Sequence, residues 1–136
     1  MPILLDTCAA LWIVEKDPLN PAAAEAISRA TDRGDPIWIS PITGWQVGLL
    51  ARRGKFKSRY APQRWLDAFL ALPHVRVADL PPCVLLASCF LPGAAPRDPS
   101  DRIIAATARE YGFVVVTRDR ELLDYAAQGH IAAEPC

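Results

Sequence analysis

The chain has 136 residues, of which 51% are hydrophobic, and its 15 lysine and arginine residues balance 15 aspartate and glutamate residues. This length suits one hydrophobic core and is too short for two ordinary domains, so we expect a single domain across residues 1–136. A formal net charge of zero excludes any argument for nucleic-acid binding from global basicity.

The N-terminus and the cysteines both indicate a cytoplasmic protein. The first residues, MPILLDT, include no cationic region, and no apolar run approaches the roughly 18 residues that a membrane span needs. The cysteines lack CxxC spacing, and the chain is not the small, cysteine-rich type that is secreted. We therefore expect reduced, mostly buried thiols at Cys8, Cys83, Cys89 and Cys136.

Short apolar strands alternate with amphipathic helices along the chain. The predicted strands span residues 3–5, 37–40, 75–78, 113–117 and, at a sheet edge, 130–133. The predicted helices span residues 7–15, 22–33, the segment after Pro41, 62–72, 82–91, 99–111 and 120–128, with a turn at 17–21. This alternation predicts an α/β fold of three layers, in which helices cover both faces of a mostly parallel sheet of four to five strands.

Two of the helices carry distinctive apolar patterns. The helix at 82–91 is apolar nearly all round, which predicts a buried helix. The helix after Pro41 has apolar residues at i, i+3, i+7 and i+8, and Gln46 falls inside this stripe. The predicted core-facing residues of that helix are Ile42, Trp45, Leu49 and Leu50.

The stretch from Asp98 to Asp119 reads DPSDRIIAATAREYGFVVVTRD and has acids at both ends. Pro99 suits the first position of a helix, so Asp98 is predicted to be its N-cap and is left out of the candidate site. Asp101 begins an i, i+3, i+4, i+7 spacing and therefore points the way the core face points. The apolar members of this stripe are Ile104, Ala105 and Ala108.

Three acids are expected to meet at one edge of the sheet. Asp6 and Asp119 each follow a strand directly, and ligands of open parallel sheets gather outside the carboxyl ends of the strands. Together with Asp101 and Gln46, they are predicted to surround one cavity. Carboxylates share such a site only if their pKa values rise or a cation joins them, and oxygen ligands favour Mg²⁺ or Mn²⁺ over zinc. Such a site fits phosphodiester hydrolysis, because the ion activates a water and offsets charge on the phosphate.

Each of these residues also has a purely structural interpretation. Asp101, at the third helical position, suits a capping box or the helix dipole, while Asp6 and Asp119 suit caps of the helices that follow them. Gln46 alternatively is a buried amide that the backbone satisfies. We favour the metal interpretation because one helix cap at a sheet edge is common, whereas three acids that serve only as caps at the same edge are less common.

The segment 52–64 is the most basic part of the chain, and no acid occurs between Asp35 and Asp67. Such a run more often forms a solvated surface than an RNA site, but it is the one patch suited to binding phosphate. Its cations are Arg52, Arg53, Lys55, Lys57, Arg59 and Arg64.

Four separated segments resemble the motifs of the PIN-domain ribonucleases, in particular the VapC-type toxins of bacterial toxin-antitoxin pairs. In chain order they read LLDTCAALWIVEKDP, SPITGWQVGLLARRGK, RDPSDRIIAATA and VVVTRDREL. The resemblance is specific because all four occur in the right order and spacing, nearly end to end. It implies that Asp6, Asp101 and Asp119 bind Mg²⁺ or Mn²⁺ and that the enzyme hydrolyses single-stranded RNA.

The resemblance also implies particular partners and products. These are a VapB-type antitoxin whose C-terminal tail occupies the acidic groove, a second copy of the chain in a homodimer, and RNA fragments with 3′-hydroxyl and 5′-phosphate ends. Transfer RNA and ribosomal RNA both stay open as targets.

The second motif departs from the family pattern at one position. The family pattern usually has a Trp-Glu pair, which supplies a fourth acid, where this chain has Trp45 followed by Gln46. An amide oxygen still binds Mg²⁺, but it brings no negative charge and cannot act as a base, so a reduced affinity for the ion and reduced activity are expected. The alternative function is therefore an impaired PIN domain that binds RNA or an antitoxin without cutting.

A third class, the phosphate-accepting receiver domain, also places acids at sheet ends. It requires paired acids after the first strand and a late lysine. Asp6 stands alone in LLDTC, and Lys57 is the last lysine of the chain. The sequence therefore disfavours this class.

Overall fold

The protein, described from a computed structural model at residues 1–15 and 19–136, has a five-stranded parallel sheet. The strands are β1 (Ile3–Leu5), β2 (Ile37–Ile39), β3 (Val75–Val77), β4 (Val114–Thr117) and β5 (Ala132–Pro135). Their order across the sheet is β3-β2-β1-β4-β5, so β1 lies at the centre. The predicted parallel α/β architecture is confirmed, and the final strand is an edge strand as expected.

Seven helices connect and cover these strands within the described residues. They are α1 (Thr7–Glu15), α2 (Pro21–Asp32), α3 (Ile42–Arg52), α4 (Pro62–Leu70), α5 (Pro82–Ser88), α6 (Pro99–Tyr111) and α7 (Arg120–Ala127). The predicted turn at 17–21 includes Asp17 and Pro18, which lie outside the described residues. None of the helices in the described part of the chain combines the length and apolar character needed to cross a membrane.

The register of the central strands determines where the site is built. Leu5 of β1 is aligned with Ile39 of β2 and with Val116 of β4. Parallel strands end at the same edge, so Asp6, directly after β1, lies beside the end of β4. The Asp6 backbone N–H extends the ladder by donating to the Val116 carbonyl at 3.1 Å.

Two apolar clusters lie on opposite faces of the sheet, as three layers require. Because side chains alternate along a strand, Ile3 and Leu5 belong to one cluster and Leu4 to the other. Trp65 of α4 is fully buried in the first cluster, and Ile104 of α6 is fully buried in the second. The predicted core stripe of α6 is thereby confirmed, with Ala105 and Ala108 buried beside Ile104.

The predicted core face of α3 is wrong in part. Trp45 is 54% exposed, and the buried positions of the helix are Thr43 and Val47. Thr43 lies close to α1, where its hydroxyl and that of Thr7 are 3.0 Å apart. Of the predicted core-facing residues, Ile42, Leu49 and Leu50 are half-buried, and Trp45 is the one that turns outwards.

The predictions for α5 and for the thiols are also corrected. The helix ends at Ser88, and Leu85 and Leu86 are 40% and 64% exposed, so α5 is not buried all round. It packs one face against α6 and presents the other outwards. All four cysteines are free thiols, but only Cys136 is buried, because the other three lie on outward-facing positions of their segments.

Candidate metal centre

The N-terminus of α6 positions Asp101. The Asp98 carboxylate accepts hydrogen bonds from the backbone N–H groups of Ser100 (2.8 Å) and Asp101 (3.2 Å), so Asp98 is the N-cap, as predicted. Pro99 occupies the first helical position, which needs no donor. Asp101 is then fixed at the third position with a half-buried side chain.

The N-terminus of α7 positions two further acids. Asp119 is the N-cap of α7, and its Oδ1 accepts from the Leu122 backbone N–H at 3.0 Å. The structural interpretation of Asp119 as a cap is therefore correct, although a carboxylate has a second oxygen for other contacts. Glu121 follows in the first turn of α7 and is half-buried.

These acids converge on one point. One carboxylate oxygen from each of Asp101, Asp119 and Glu121 lies within 4.8 Å of the other two. Within residues 1–15 and 19–136 this is the one group of three potential metal-binding side chains at such spacing. The sequence predicted that Asp101 and Asp119 would meet but missed Glu121, whose only signal was its place two residues after Asp119.

Asp6 lies beside this group without being part of it. Its carboxylate is only 4% exposed; Oδ1 accepts from the Ala9 backbone N–H at 2.8 Å, and Oδ2 accepts from the Thr117 hydroxyl. The same hydroxyl oxygen accepts the Asp119 backbone N–H at 2.9 Å. Thr117 thus links Asp6 to Asp119 and fixes their relative positions.

Gln46 lies in the first half of α3, on the side that faces α1. The Thr7 hydroxyl donates to the Gln46 Oε1 atom, so a side chain and not the backbone binds the oxygen of this half-buried amide. Since the Thr7 hydroxyl has a single proton, the Thr43 hydroxyl must donate to Thr7. The hydrogen bonds from Thr43 to Thr7 and from Thr7 to Gln46 hold the Gln46 oxygen beside Thr7, which directly follows Asp6 in the chain.

Burial and repulsion from neighbouring acids raise the pKa values of Asp101 and Asp6. Burial is the largest cause for Asp101, whose pKa rises to about 7, and the negative charges of Asp119, Asp98, Asp6 and Glu121 add to it. Burial also raises the pKa of Asp6, and the charge of Asp119 adds to that shift, although hydrogen bonds from Thr117 and Ala9 oppose it. A cation at this point would relieve the repulsion.

The donor set fits a hard divalent ion. Its three atoms are carboxylate oxygens, which suit Mg²⁺ and Mn²⁺, and no thiol or imidazole belongs to this group. Asp101, Asp119 and Glu121 have the closest oxygens. The places of Asp6 and Gln46 in the ion's ligand set stay predictions.

The raised pKa of Asp101 predicts how pH changes the stability of the metal-free protein. In the folded chain the pKa is about 7, and the ordinary value is 3.8. Between these values the folded state binds more protons than the unfolded state, so the free energy of unfolding should fall as pH rises from about 4 to about 7. Melting temperatures of Asp101→Asn should therefore fall less between pH 5 and pH 8 than those of the unmodified protein.

The control for this measurement is Asp124→Asn, which removes an exposed carboxylate from the outer side of α7. It should retain the full pH dependence. Equal pH dependence in Asp101→Asn and the unmodified protein would contradict the raised pKa.

A groove of about 370 Å³ is lined by Thr7 and Ser100, which are the sequence neighbours of Asp6 and Asp101. Trp45, Gln46 and Arg53 of α3 line one side, and Asp98 to Ser100 at the start of α6 line another. The cations of the basic segment 52–64 are all exposed, as a solvated surface requires. One of them, Arg53, lines the groove. The exposed Trp45 and the cationic Arg53 therefore line the same groove.

The sheet order and the acids at its edge define the class of this protein. The PIN domain family matches residues 3–128, and the chain therefore belongs to the PIN-domain family. Among its relatives, the chain is 34% identical over 121 residues to Ribonuclease VapC22 of Mycobacterium tuberculosis, with 88% of each chain covered. It is thus a homologue of a VapC-type ribonuclease, as the four motifs predicted.

Two solved structures share the fold. One is VapBC2 from Rickettsia felis bound to a DNA fragment from its promoter, with a TM-score of 0.69 and 18% identity. The other is DNA-bound VapBC from Salmonella typhimurium, with a TM-score of 0.68 and 23% identity. In each comparison 99% of this chain and 98% of the other are covered. At these identities the comparisons establish the common fold alone.

Proposed function

We propose that the protein is a metal-dependent endoribonuclease toxin that cleaves single-stranded regions of RNA. The observation that carries the proposal is the meeting of three carboxylate oxygens within 4.8 Å at the edge of a PIN-domain sheet. The 34% identity to a ribonuclease supports RNA as the substrate. A bound Mg²⁺ or Mn²⁺ would supply Lewis-acid activation of a water and offset charge on the scissile phosphate.

The side chains of this chain have distinct roles in the proposal. Asp101 and Asp119 hold the ion, and Asp6 contributes the third predicted carboxylate, oriented by the Thr117 hydroxyl. Gln46 offers a neutral oxygen that Thr7 positions. The caps at Asp98 and Asp119 fix the helix ends and keep the acids close despite their repulsion.

The groove beside the acids is the proposed path of the RNA. Arg53 lies where it can contact backbone phosphates, and the exposed indole of Trp45 offers a face on which a base can stack. An unpaired base is free to stack in this way, whereas a base in a duplex is not. This geometry supports the proposed preference for single-stranded RNA.

Trp45→Ala is expected to weaken RNA binding about tenfold, because one base-aromatic stack contributes roughly 1–3 kcal/mol. Fluorescence anisotropy with a labelled single-stranded RNA would measure the dissociation constant. Phe90→Ala, which removes an aromatic side chain that is 79% exposed outside the groove, should bind RNA normally. Equal affinities for both variants would argue against the groove.

The proposed activity is tested by incubating purified protein with a pool of structured and single-stranded RNAs. Cleavage should require Mg²⁺ or Mn²⁺, cease with a chelator, occur in unpaired regions, and leave 5′-phosphate ends. Cleavage that persists in excess chelator would contradict metal dependence. An absence of cleavage with either ion would contradict the nuclease proposal.

Gln46 favours a second candidate function. Because an amide brings no charge to the site, a chain with weakened ion affinity would bind RNA or an antitoxin without cutting. In that case RNA binding would be retained, and cleavage would appear only in Gln46→Glu.

The proposed partners follow from the family. The two structural neighbours are VapBC complexes, which supports a VapB-type antitoxin as a partner of this chain. We further propose a homodimer, a single PIN domain across residues 1–136 and a cytoplasmic location. Co-expression with a cognate VapB-type antitoxin, followed by size-exclusion chromatography with light scattering, tests the complex and the dimer together.

A further inference from the structure

We infer that Glu121 binds the divalent ion and supplies from α7 the negative charge that the amide of Gln46 does not supply from α3. This inference rests on the proposed metal site and adds a ligand to it. It makes Glu121 and Gln46 energetically dependent on each other.

The position of Glu121 suits this role. Its carboxylate meets Asp101 and Asp119 within 4.8 Å, a spacing at which each can contribute an oxygen to one ion. Asp119 caps α7, and Glu121 lies in the first turn of the same helix, so one capped turn fixes both acids. The ion would therefore bind a preformed pair of ligands from α7.

Gln46, the proposed ligand from α3, brings no negative charge to the site. Gln46 provides only a neutral oxygen there, and Thr7 already donates a hydrogen bond to that oxygen. Asp6, the other acid near this side, is not among the three converging carboxylates. Charge from α7 therefore matters more for cation binding than it would if residue 46 were a carboxylate.

Glu121 also has a competing partner. Arg97 donates from Nε to Glu121 Oε1 at 3.2 Å, with the Arg97 side chain 93% and the Glu121 side chain 38% exposed. An ion pair this exposed is weak, so it does not prevent Glu121 from binding an ion. A carboxylate also has two oxygens, and contact with Arg97 leaves the other for the ion.

The structural alternative is that Glu121 only stabilises α7. An acid in the first turn interacts favourably with the helix dipole, and the pair with Arg97 adds to this. That role predicts an effect of Glu121→Gln on metal-free stability and none on ion affinity. Metal-free melting temperature and Mn²⁺ affinity therefore separate the two roles.

The test is a double-mutant cycle read by calorimetric titration of Mn²⁺ into the full chain. The proteins are the unmodified chain, Glu121→Gln, Gln46→Glu and the double variant. Glu121→Gln should weaken Mn²⁺ binding about tenfold when residue 46 is Gln, and by about threefold or less when it is Glu, since ligands of one ion are coupled. Glu110→Gln, which removes an exposed carboxylate near the far end of α6, should bind Mn²⁺ as the unmodified chain does.

Two outcomes would overturn the inference. Unchanged Mn²⁺ affinity in Glu121→Gln would show that Glu121 is not a ligand, and an equal loss in both backgrounds would show that it does not compensate for Gln46. Asp101→Asn separates these results from failure of the proposed site. If Asp101→Asn also leaves Mn²⁺ binding unchanged, the metal site itself is wrong, whereas loss in Asp101→Asn alone contradicts only the role of Glu121.

Discussion

Asp101→Asn is expected to reduce RNA cleavage by about two orders of magnitude or more, which is the usual cost of removing one electrostatic contact to a reacting centre. Asp101 is one of three carboxylates within 4.8 Å, and its pKa is raised to about 7, chiefly by burial. Asparagine keeps the shape of the side chain but removes the charge that attracts the ion. Initial cleavage rates of a labelled single-stranded RNA at saturating Mg²⁺ measure the effect.

The control is Asp124→Asn, which removes an exposed carboxylate of α7 that belongs neither to the three converging acids nor to the groove lining. Cleavage should then remain within about threefold of the starting rate, which is small beside the loss expected for Asp101→Asn. A similar loss in both variants would mean that general acidity, and not a ligand at Asp101, supports activity.

Gln46→Glu is expected to raise both Mn²⁺ affinity and the cleavage rate, each by about tenfold, because ligand charge sets the affinity of an oxygen site. The two side chains have the same shape, and the Thr7 hydroxyl that donates to Gln46 Oε1 would donate equally well to a carboxylate. That hydrogen bond would also become stronger because its acceptor is ionised. Calorimetry and the RNA cleavage assay measure the two effects.

The same variant should behave oppositely without the ion. An added carboxylate increases the repulsion that already raises the pKa of Asp101, so the metal-free melting temperature should fall. Mn²⁺ should then stabilise Gln46→Glu more than the unmodified chain. If Gln46→Glu changes neither ion affinity nor cleavage, residue 46 lies outside the ion's reach, and the amide does not explain any loss of activity.

The sheet was predictable because its central strand is buried on both faces and its inner strands read as short apolar runs. Leu4 and Leu5 point to opposite faces, yet both are buried, which is the property that apolar runs indicate. The helices flanking the sheet were placed by caps and breakers, and Gly112 ends α6 at a φ of 70°, a conformation that suits glycine. These signals are local, so sequence alone was enough.

The predictions that failed concern which face of a helix is buried, because that depends on the neighbouring elements. The spacing of Trp45 fits a core stripe, but α3 approaches α1 through Thr43 and Thr7, which turns Trp45 outwards. Likewise, α5 is apolar on most sides, but it contacts the rest of the protein on one of them. Periodicity shows which residues share a face and does not show which of two apolar faces is covered.

The site was predictable where strand ends determine it. Asp6 and Asp119 follow the neighbouring parallel strands β1 and β4, which end at the same edge of the sheet. The Thr117 hydroxyl forms hydrogen bonds with both residues. Glu121 was missed because an acid in the first turn of a helix is common for reasons of the dipole alone. Only the three-dimensional approach of α6 to α7 brings it to Asp101.

The measurement that tests the metal-centre proposal most directly is an anomalous difference map from crystals of the unmodified chain soaked in Mn²⁺. The proposal predicts a peak within ligand distance of carboxylate oxygens of Asp101 and Asp119, with Glu121 as a further ligand. At saturating Mn²⁺, an empty map at these acids, or a peak only elsewhere on the protein, would contradict it.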